Sequence, residues 1–220
     1  MGRYGLPPTN LGIIDLAPVE MMFWLYCPIK MAGKTDMVLP PNLEQFTPLL
    51  HQVRDDCRNR WRENYVYLTA KTLWVSQENP GNRPGWHSDG FMTDDLNYVW
   101  SDRDGTLFWE PEDTVDFTQD HTISLGEMGS VASFGPTRSY PDKSLLRLDE
   151  TVIHRVNDFR SPGMRSFVKV SVSRHKYNLV GNSINHDLPN DWYFEPRAAE
   201  RNHPARGVSL PQAQVEDAAK

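Results

Sequence analysis

The stretch Arg165-Ser166-Phe167-Val168-Lys169-Val170-Ser171-Val172-Ser173 decides the fold class. Valine recurs at every second position, the period of a pleated strand and not of a helix. One face of that strand carries Val168, Val170 and Val172; the other carries Arg165, Phe167, Lys169 and Ser171. The valine face suits packing beneath an amphipathic element. The other face takes charge into the interior, which requires an anion beside it.

The amphipathic element lies upstream. Leu50, Val53, Cys57 and Trp61 recur at helical spacing, Thr47 is placed to cap the helix and Pro48 suits its first turn, so a helix is expected over residues 47–62. Arg54, Arg58 and Arg62 fall on its flank, diluted by Asp55, Asp56 and Glu63, as a solvated face would be. Downstream come short aromatic and β-branched runs broken by turns: Tyr65 to Ser76, Asn97 to Trp100, Thr106 to Trp109, Ser130 to Phe134, Thr151 to Val156 and Phe167 to Ser173. Such a series predicts a sandwich or barrel, mainly β with flanking helices (α+β).

Residues 1–46 carry Pro7, Pro8, Pro18, Pro28, Pro40 and Pro41, which leave room only for short strands such as Met21 to Tyr26 in a wrapping arm. Residues 197–220 lack aromatics and read as a loose tail. With 220 residues and no fixed-period repeat, one domain spanning 1–220 is expected, with its β core over 65–175.

The net charge of -6 disfavours nucleic acid as a partner, and Arg138, Lys143, Arg147, Arg155 and Arg160 make only a thin basic set. Cys27 and Cys57 form neither a disulfide framework nor a thiolate zinc site, which suits a reducing, cytoplasmic setting. Val19 to Ile29 is apolar but short and contains Glu20 and Pro28, so neither a signal peptide nor a membrane span is expected.

Chemistry enters at Pro84-Gly85-Trp86-His87-Ser88-Asp89-Gly90. On extended backbone His87 and Asp89 leave the same face, presenting an imidazole and a carboxylate together. Alone the pair is a weak signal, since Asp-Gly is also a good turn. His154 supplies a partner at the end of the β-branched run Asp149 to Val156, and Arg165 follows it by eleven residues. Two imidazoles and one carboxylate, with coordination positions left open, are the ligand set of non-haem iron(II) centres and not of closed structural zinc. His121 with Glu127, and Asp94 with Asp95, lack strand spacing and an anion anchor behind them. Trp86 reads as a wall holding the ligands, and Asn182 to His186 as a capped turn.

In order and spacing, His87-x-Asp89, the distant His154 and Arg165 resemble the iron(II)- and 2-oxoglutarate-dependent dioxygenase superfamily. Asn97-Tyr98-Val99-Trp100 through Gly105-Thr106-Leu107-Phe108, and the glycine turn and strand expected from Gly126 to Phe134, are similar to that family too. The resemblance covers residues 65–175. It implies a double-stranded β-helix (jelly-roll, cupin-like) core, Fe(II) held by His87, Asp89 and His154, 2-oxoglutarate paired through its distal carboxylate with Arg165, and O2 as co-substrate. The reaction it implies is hydroxylation or other oxidation of an organic substrate, coupled to decarboxylation of 2-oxoglutarate to succinate and carbon dioxide.

One position departs from the family. Many members place a hydroxyl or amide two residues after the arginine, and here Phe167 stands there, so Lys169, Ser171, Tyr67 and Lys71 are candidates for the second cosubstrate anchor. A small-molecule or peptide-like substrate is expected, with nucleobase oxidation an alternative inside the class. Outside it stand a non-catalytic jelly-roll binding module with an incidental metal, and a zinc hydrolase using Glu150 as base.

Overall fold

The computed structural model describes residues 2–157, 161–188 and 191–197. Within them the chain forms β1 (Thr9–Ile13), β2 (Met22–Lys30), a 3-10 turn (Pro41–Phe46), α1 (Thr47–Cys57), α2 (Asn59–Glu63), β3 (Tyr65–Val75), β4 (His87–Ser88) and β5 (Leu96–Ser101). It continues with β6 (Leu107–Trp109), α3 (His121–Ala132), β7 (Thr137–Ser139), β8 (Ser144–Leu148), β9 (Ile153–Arg155) and β10 (Gly163–Ser173). The strands build two antiparallel sheets, one in the order β1-β8-β5-β10-β3-β2 and one in the order β4-β9-β6-β7.

β10 is the spine of the larger sheet, paired with β3 along its length and with β5 on its other side. Cross-strand partners share a face, so register extends the alternation of β10 across the sheet. Val168, Val170 and Val172 stand opposite Ala70, Leu68 and Val66 on one side, and Val168 and Val170 opposite Trp100 and Tyr98 on the other. All are buried in one cluster with Leu49, Leu50, Val53 and Cys57 of α1 and Trp61 of α2, as the two periodicities require. Full burial of one such aliphatic side chain contributes about 1.5–3 kcal/mol, so this helix-on-sheet layer, with many such residues, stabilises the fold strongly.

The opposite face of β10 looks toward the smaller sheet. Phe167, Val99, Leu146 and Leu148 meet Phe108 and Val152 there in a second apolar layer. The arm is pinned by polar contacts: Trp100 Nε1 donates to the carbonyl of Ile14 at 2.9 Å, and Asn185 Nδ2 to those of Pro28 and Val38 at 3.0 and 2.9 Å. The turn expected at Asn182 to His186 thus serves to hold β2.

Several expectations change. The helix foreseen over 47–62 is split at Arg58, whose φ of 49° lies in the left-handed region. Thr47 does not cap it, because a 3-10 turn runs directly into the helix and the Thr47 hydroxyl donates back to Glu44 O at 2.6 Å. The strand expected at Ser130 to Phe134 is the end of α3. Asp120 starts this helix by accepting from the amides of Thr122 and Ile123, both at 2.9 Å, and Ser124, Met128 and Ala132 bury one stripe four residues apart. The glycine turn and strand anticipated from Gly126 to Phe134 are therefore helical up to Ala132, and Phe134 is 94% exposed. Strands β1, β7 and β8 were not foreseen. The predicted tail lies, from residue 198 onward, outside the described residues.

Candidate metal centre

β9 sits inside the smaller sheet, with His154 opposite His87 of β4 on one side and Phe108 of β6 on the other. Register therefore puts both imidazoles on one face, with ring centroids 4.5 Å apart. Asp89, two residues beyond His87, returns to that face. Gly90 makes the turn that follows it at φ 76°, where a side chain would crowd Thr93 Oγ1 at 3.0 Å.

One ligand atom from each of His87, Asp89 and His154 falls within 4.8 Å of the others. His87 Nε2 lies 4.0 Å from Asp89 Oδ1, and His154 Nε2 3.4 Å from Asp89 Oδ2. Each imidazole is tied back through its other nitrogen: His87 Nδ1 to Gly85 O at 2.9 Å, and His154 Nδ1 to Val152 O at 3.2 Å. A carbonyl accepts only from an N–H, so Nδ1 of each ring carries a proton and the two Nε2 atoms converge on the carboxylate. The donor set thus fits one divalent ion of the borderline, nitrogen-and-oxygen-preferring kind.

The electrostatics keep His87 and Asp89 in their binding forms. Burial, and then the neighbouring His154, push the His87 pKa down to about 4, so the ring is neutral at ordinary pH. Burial would raise Asp89, but the Lys169 ammonium and then His154 outweigh it and hold the carboxyl well below the usual range. Lys169 reaches across from β10 and donates to Asp89 Oδ2 at 2.7 Å. Burial would lower that ammonium, and the Asp89 charge followed by Tyr26 reverses the sign, leaving it above its ordinary value. Three ligands from the small sheet thus face a cation from the large one.

Two cavities meet at this cluster. The inner one, about 230 Å³, runs between the sheets and is lined by Lys71, Thr69 and Val99, by Phe167 and Lys169, and by the three ligands. The outer one, about 390 Å³, opens on the other side. Tyr26, Arg83, His87, Asp89 and Lys169 border both.

The structure sorts the expected cosubstrate contacts. Lys71 stands opposite Phe167 in register and turns into the inner cavity. Its pKa is lowered to about 8 by burial first, and then by Lys169 and Arg165. Arg165, expected to pair with the distal carboxylate, is not among the residues lining the inner cavity: it is buried one register step further along, its guanidinium 5.2 Å from the Phe167 ring centre and its Nε donating to Arg103 O at 3.1 Å. Ser171 and Tyr67 have their hydroxyls committed elsewhere. Ser171 Oγ donates to Asn97 Oδ1 at 2.7 Å, and Tyr67 donates to His175 O at 2.9 Å while accepting from the Tyr177 amide.

Two residues at the site had no signal in the sequence. Tyr26 enters through a register shift in β2, at φ 47°, a left-handed strain of order 1–3 kcal/mol. Arg83 arrives from the loop before His87, and neither a bulge nor a loop path is written in periodicity.

Other candidates are occupied. Glu127 bonds Thr118, Asp94 pairs with Arg174, and Glu150 pairs with Arg3. His121, at the start of α3, borders the outer cavity. Trp86 is buried in the cluster beneath β4, with Arg155 over its ring. Of the thin basic set, Arg147 pairs with Asp56 and Lys143 with Asp15, while Arg160 lies outside the described residues. No helix among the described residues is long and apolar enough to cross a membrane.

Two antiparallel sheets enclosing two imidazoles and a carboxylate define a β protein with a candidate mononuclear metal centre. No family model matches the chain, and no curated protein matches it. Among solved structures it is similar to an oxidoreductase of the 2OG-Fe(II) oxygenase family from Burkholderia pseudomallei, at 14% identity and a TM-score of 0.34, covering 77% of this chain and 74% of that one.

Proposed function

We propose that this protein is a mononuclear non-haem iron(II), 2-oxoglutarate-dependent dioxygenase acting on an organic substrate. The observation that carries the proposal is the convergence of His87, Asp89 and His154, each ring tied back through Nδ1, at the junction of a cation-lined cavity and an open basin. Three protein ligands leave positions for a chelating cosubstrate and O2. The two-sheet arrangement suits a double-stranded β-helix core.

Iron(II) held by His87, Asp89 and His154 would supply the centre at which O2 oxidises both 2-oxoglutarate, to succinate and carbon dioxide, and a C–H bond of the substrate. The protein's own groups do the rest. His87 and His154 present their Nε2 atoms in fixed orientation, while Lys169 holds one oxygen of Asp89 and so orients the carboxylate. We assign the distal carboxylate of the cosubstrate to Lys71, which lines the inner cavity, in place of the Arg165 that the resemblance implied. Phe167, Val99 and Val156 line the same space and keep water from it.

The test is an anaerobic addition of iron(II) and then 2-oxoglutarate, followed by its weak visible charge-transfer band. The native protein develops the band, and His87→Ala, Asp89→Ala and His154→Ala each lose both the band and succinate production. A fully metallated native protein without the band overturns the assignment.

A further inference from the structure

The outer basin carries positive charge that the rest of the chain does not answer. Arg83, Lys176 and Arg197 border it, and none of the three forms an ion pair among the described residues. Carboxylates are not scarce: the chain has 29 acidic residues against 23 lysines and arginines, and Arg147, Arg174 and Lys143 each pair with one. Arg197 donates instead to Asn182 Oδ1 at 2.5 Å and to the Val180 carbonyl at 3.4 Å, and Lys176 lies 5.8 Å from the Trp192 ring centre. The two carboxylates that border the basin are committed. Asp89 belongs to the metal cluster and to Lys169, and Asp95 accepts from the Tyr177 hydroxyl while its other oxygen is sealed from solvent.

Arg83 is the member of this set that reaches the chemistry. It is half-buried, arrives from the loop four residues before His87, and lines both cavities together with His87 and Asp89. Its Nη2 is sealed without a partner; Nε and Nη1 are not sealed, and they too make no hydrogen bond among the described residues. A guanidinium drawn part-way out of water calls for a counter-charge, and its planar fork matches the oxygens of a carboxylate or phosphate. The same basin offers a neutral donor. Asn97 is 2% exposed, and its Oδ1 accepts from Ser171 Oγ at 2.7 Å. That leaves its Nδ2, which is not sealed, with no acceptor among the described residues.

An anion entering here meets unanswered cations and a donor amide, whereas a cation meets repulsion. Building on the iron-oxygenase reading of the three ligands, we infer that the substrate is a small organic anion, a carboxylic acid or phosphate monoester, whose charged oxygens pair with Arg83. Arg83 is a specificity-determining residue, and Lys176 and Arg197 raise the local concentration of the anion. Lys71 serves the cosubstrate from the inner cavity, so the two anions are read by different cations from different cavities. A volume of about 390 Å³ accommodates a molecule of this size.

The experiment measures binding to the metal-loaded protein, with and without 2-oxoglutarate, by calorimetry and thermal shift. The probes are aliphatic and aromatic carboxylic acids, each beside its primary amide, and phosphate monoesters, each beside its parent alcohol. At least one anion binds, and its neutral counterpart binds about tenfold or more weakly, the loss expected for one charge-assisted contact. Arg83→Met brings the anion down to the affinity of its neutral counterpart, and Arg83→Lys, which keeps the charge without the fork, recovers part of the difference. Overturning results are no binding by any of the anions, equal binding of the neutral counterparts, or unchanged anion binding in Arg83→Met. The last of these, accompanied by loss of the iron and 2-oxoglutarate band in that variant, would give Arg83 to the cosubstrate. Anion binding that depends on Arg83 in a native protein lacking the band would sink the oxygenase reading and leave the basin's anion preference standing.

Discussion

Lys71 offers a test in which structure determines both sign and size. Its ammonium titrates at about 8 because it is buried beside Lys169 and Arg165, whereas an unperturbed lysine titrates near 10.4. An anionic cosubstrate needs the charged form. Affinity for 2-oxoglutarate is therefore level below the pKa of the free site and falls above it, by about tenfold per pH unit, until the raised pKa of the occupied site is reached. Between about pH 7 and about pH 9 the apparent Kd rises roughly tenfold, where an ordinary lysine changes it by only a few per cent.

Calorimetric titration of 2-oxoglutarate into metal-loaded protein across that range reads the slope directly. Lys71→Arg, whose guanidinium keeps its proton, flattens the profile. Lys71→Met removes a charge-assisted contact of about 1.5–3 kcal/mol, weakening binding about 10- to 150-fold at pH 7, and also abolishes the slope. A native profile flat to pH 9, or a methionine variant that binds as well as the native protein, refutes the placement of Lys71 at the cosubstrate.

Three further outcomes follow from the same geometry. Asp89→Ala strands the Lys169 ammonium, 8% exposed, without its counter-charge, and lowers stability by roughly 3–5 kcal/mol in denaturant melts; adding Lys169→Met restores most of it without restoring metal binding. The folded-state pKa of His87, about 4, lies below that of the unfolded chain, so its contribution to the stability of metal-free protein is present above about pH 6.5 and is lost as pH falls through about 4. A His87→Gln variant shows a shallower loss over that window, and an identical acid profile would count against a buried neutral imidazole. Leu50→Ala, in the layer between α1 and the valine face of β10, costs about 2–5 kcal/mol with little change in metal affinity, measured by melts and metal titration on the same sample.

What local pattern writes into a chain was legible here. The two-residue period of Phe167 to Ser173 and the helical period of Leu50 to Cys57 specified a strand, a helix and the faces that join, because each depends on backbone geometry within a few residues. His87-x-Asp89 on one face followed from the same rule. Where two local signals competed, periodicity misled: Ser130 to Phe134 looked like a strand, but the Asp120 cap and the buried stripe of Ser124, Met128 and Ala132 made its first residues helical. Tertiary structure alone decided the rest. The pairing that sets His154 opposite His87, the reach of Lys169 from the facing sheet to Asp89, and the bulge that delivers Tyr26 all depend on register and sheet packing between remote segments. Those are set by the total burial of many side chains at once, a quantity that no window of sequence contains.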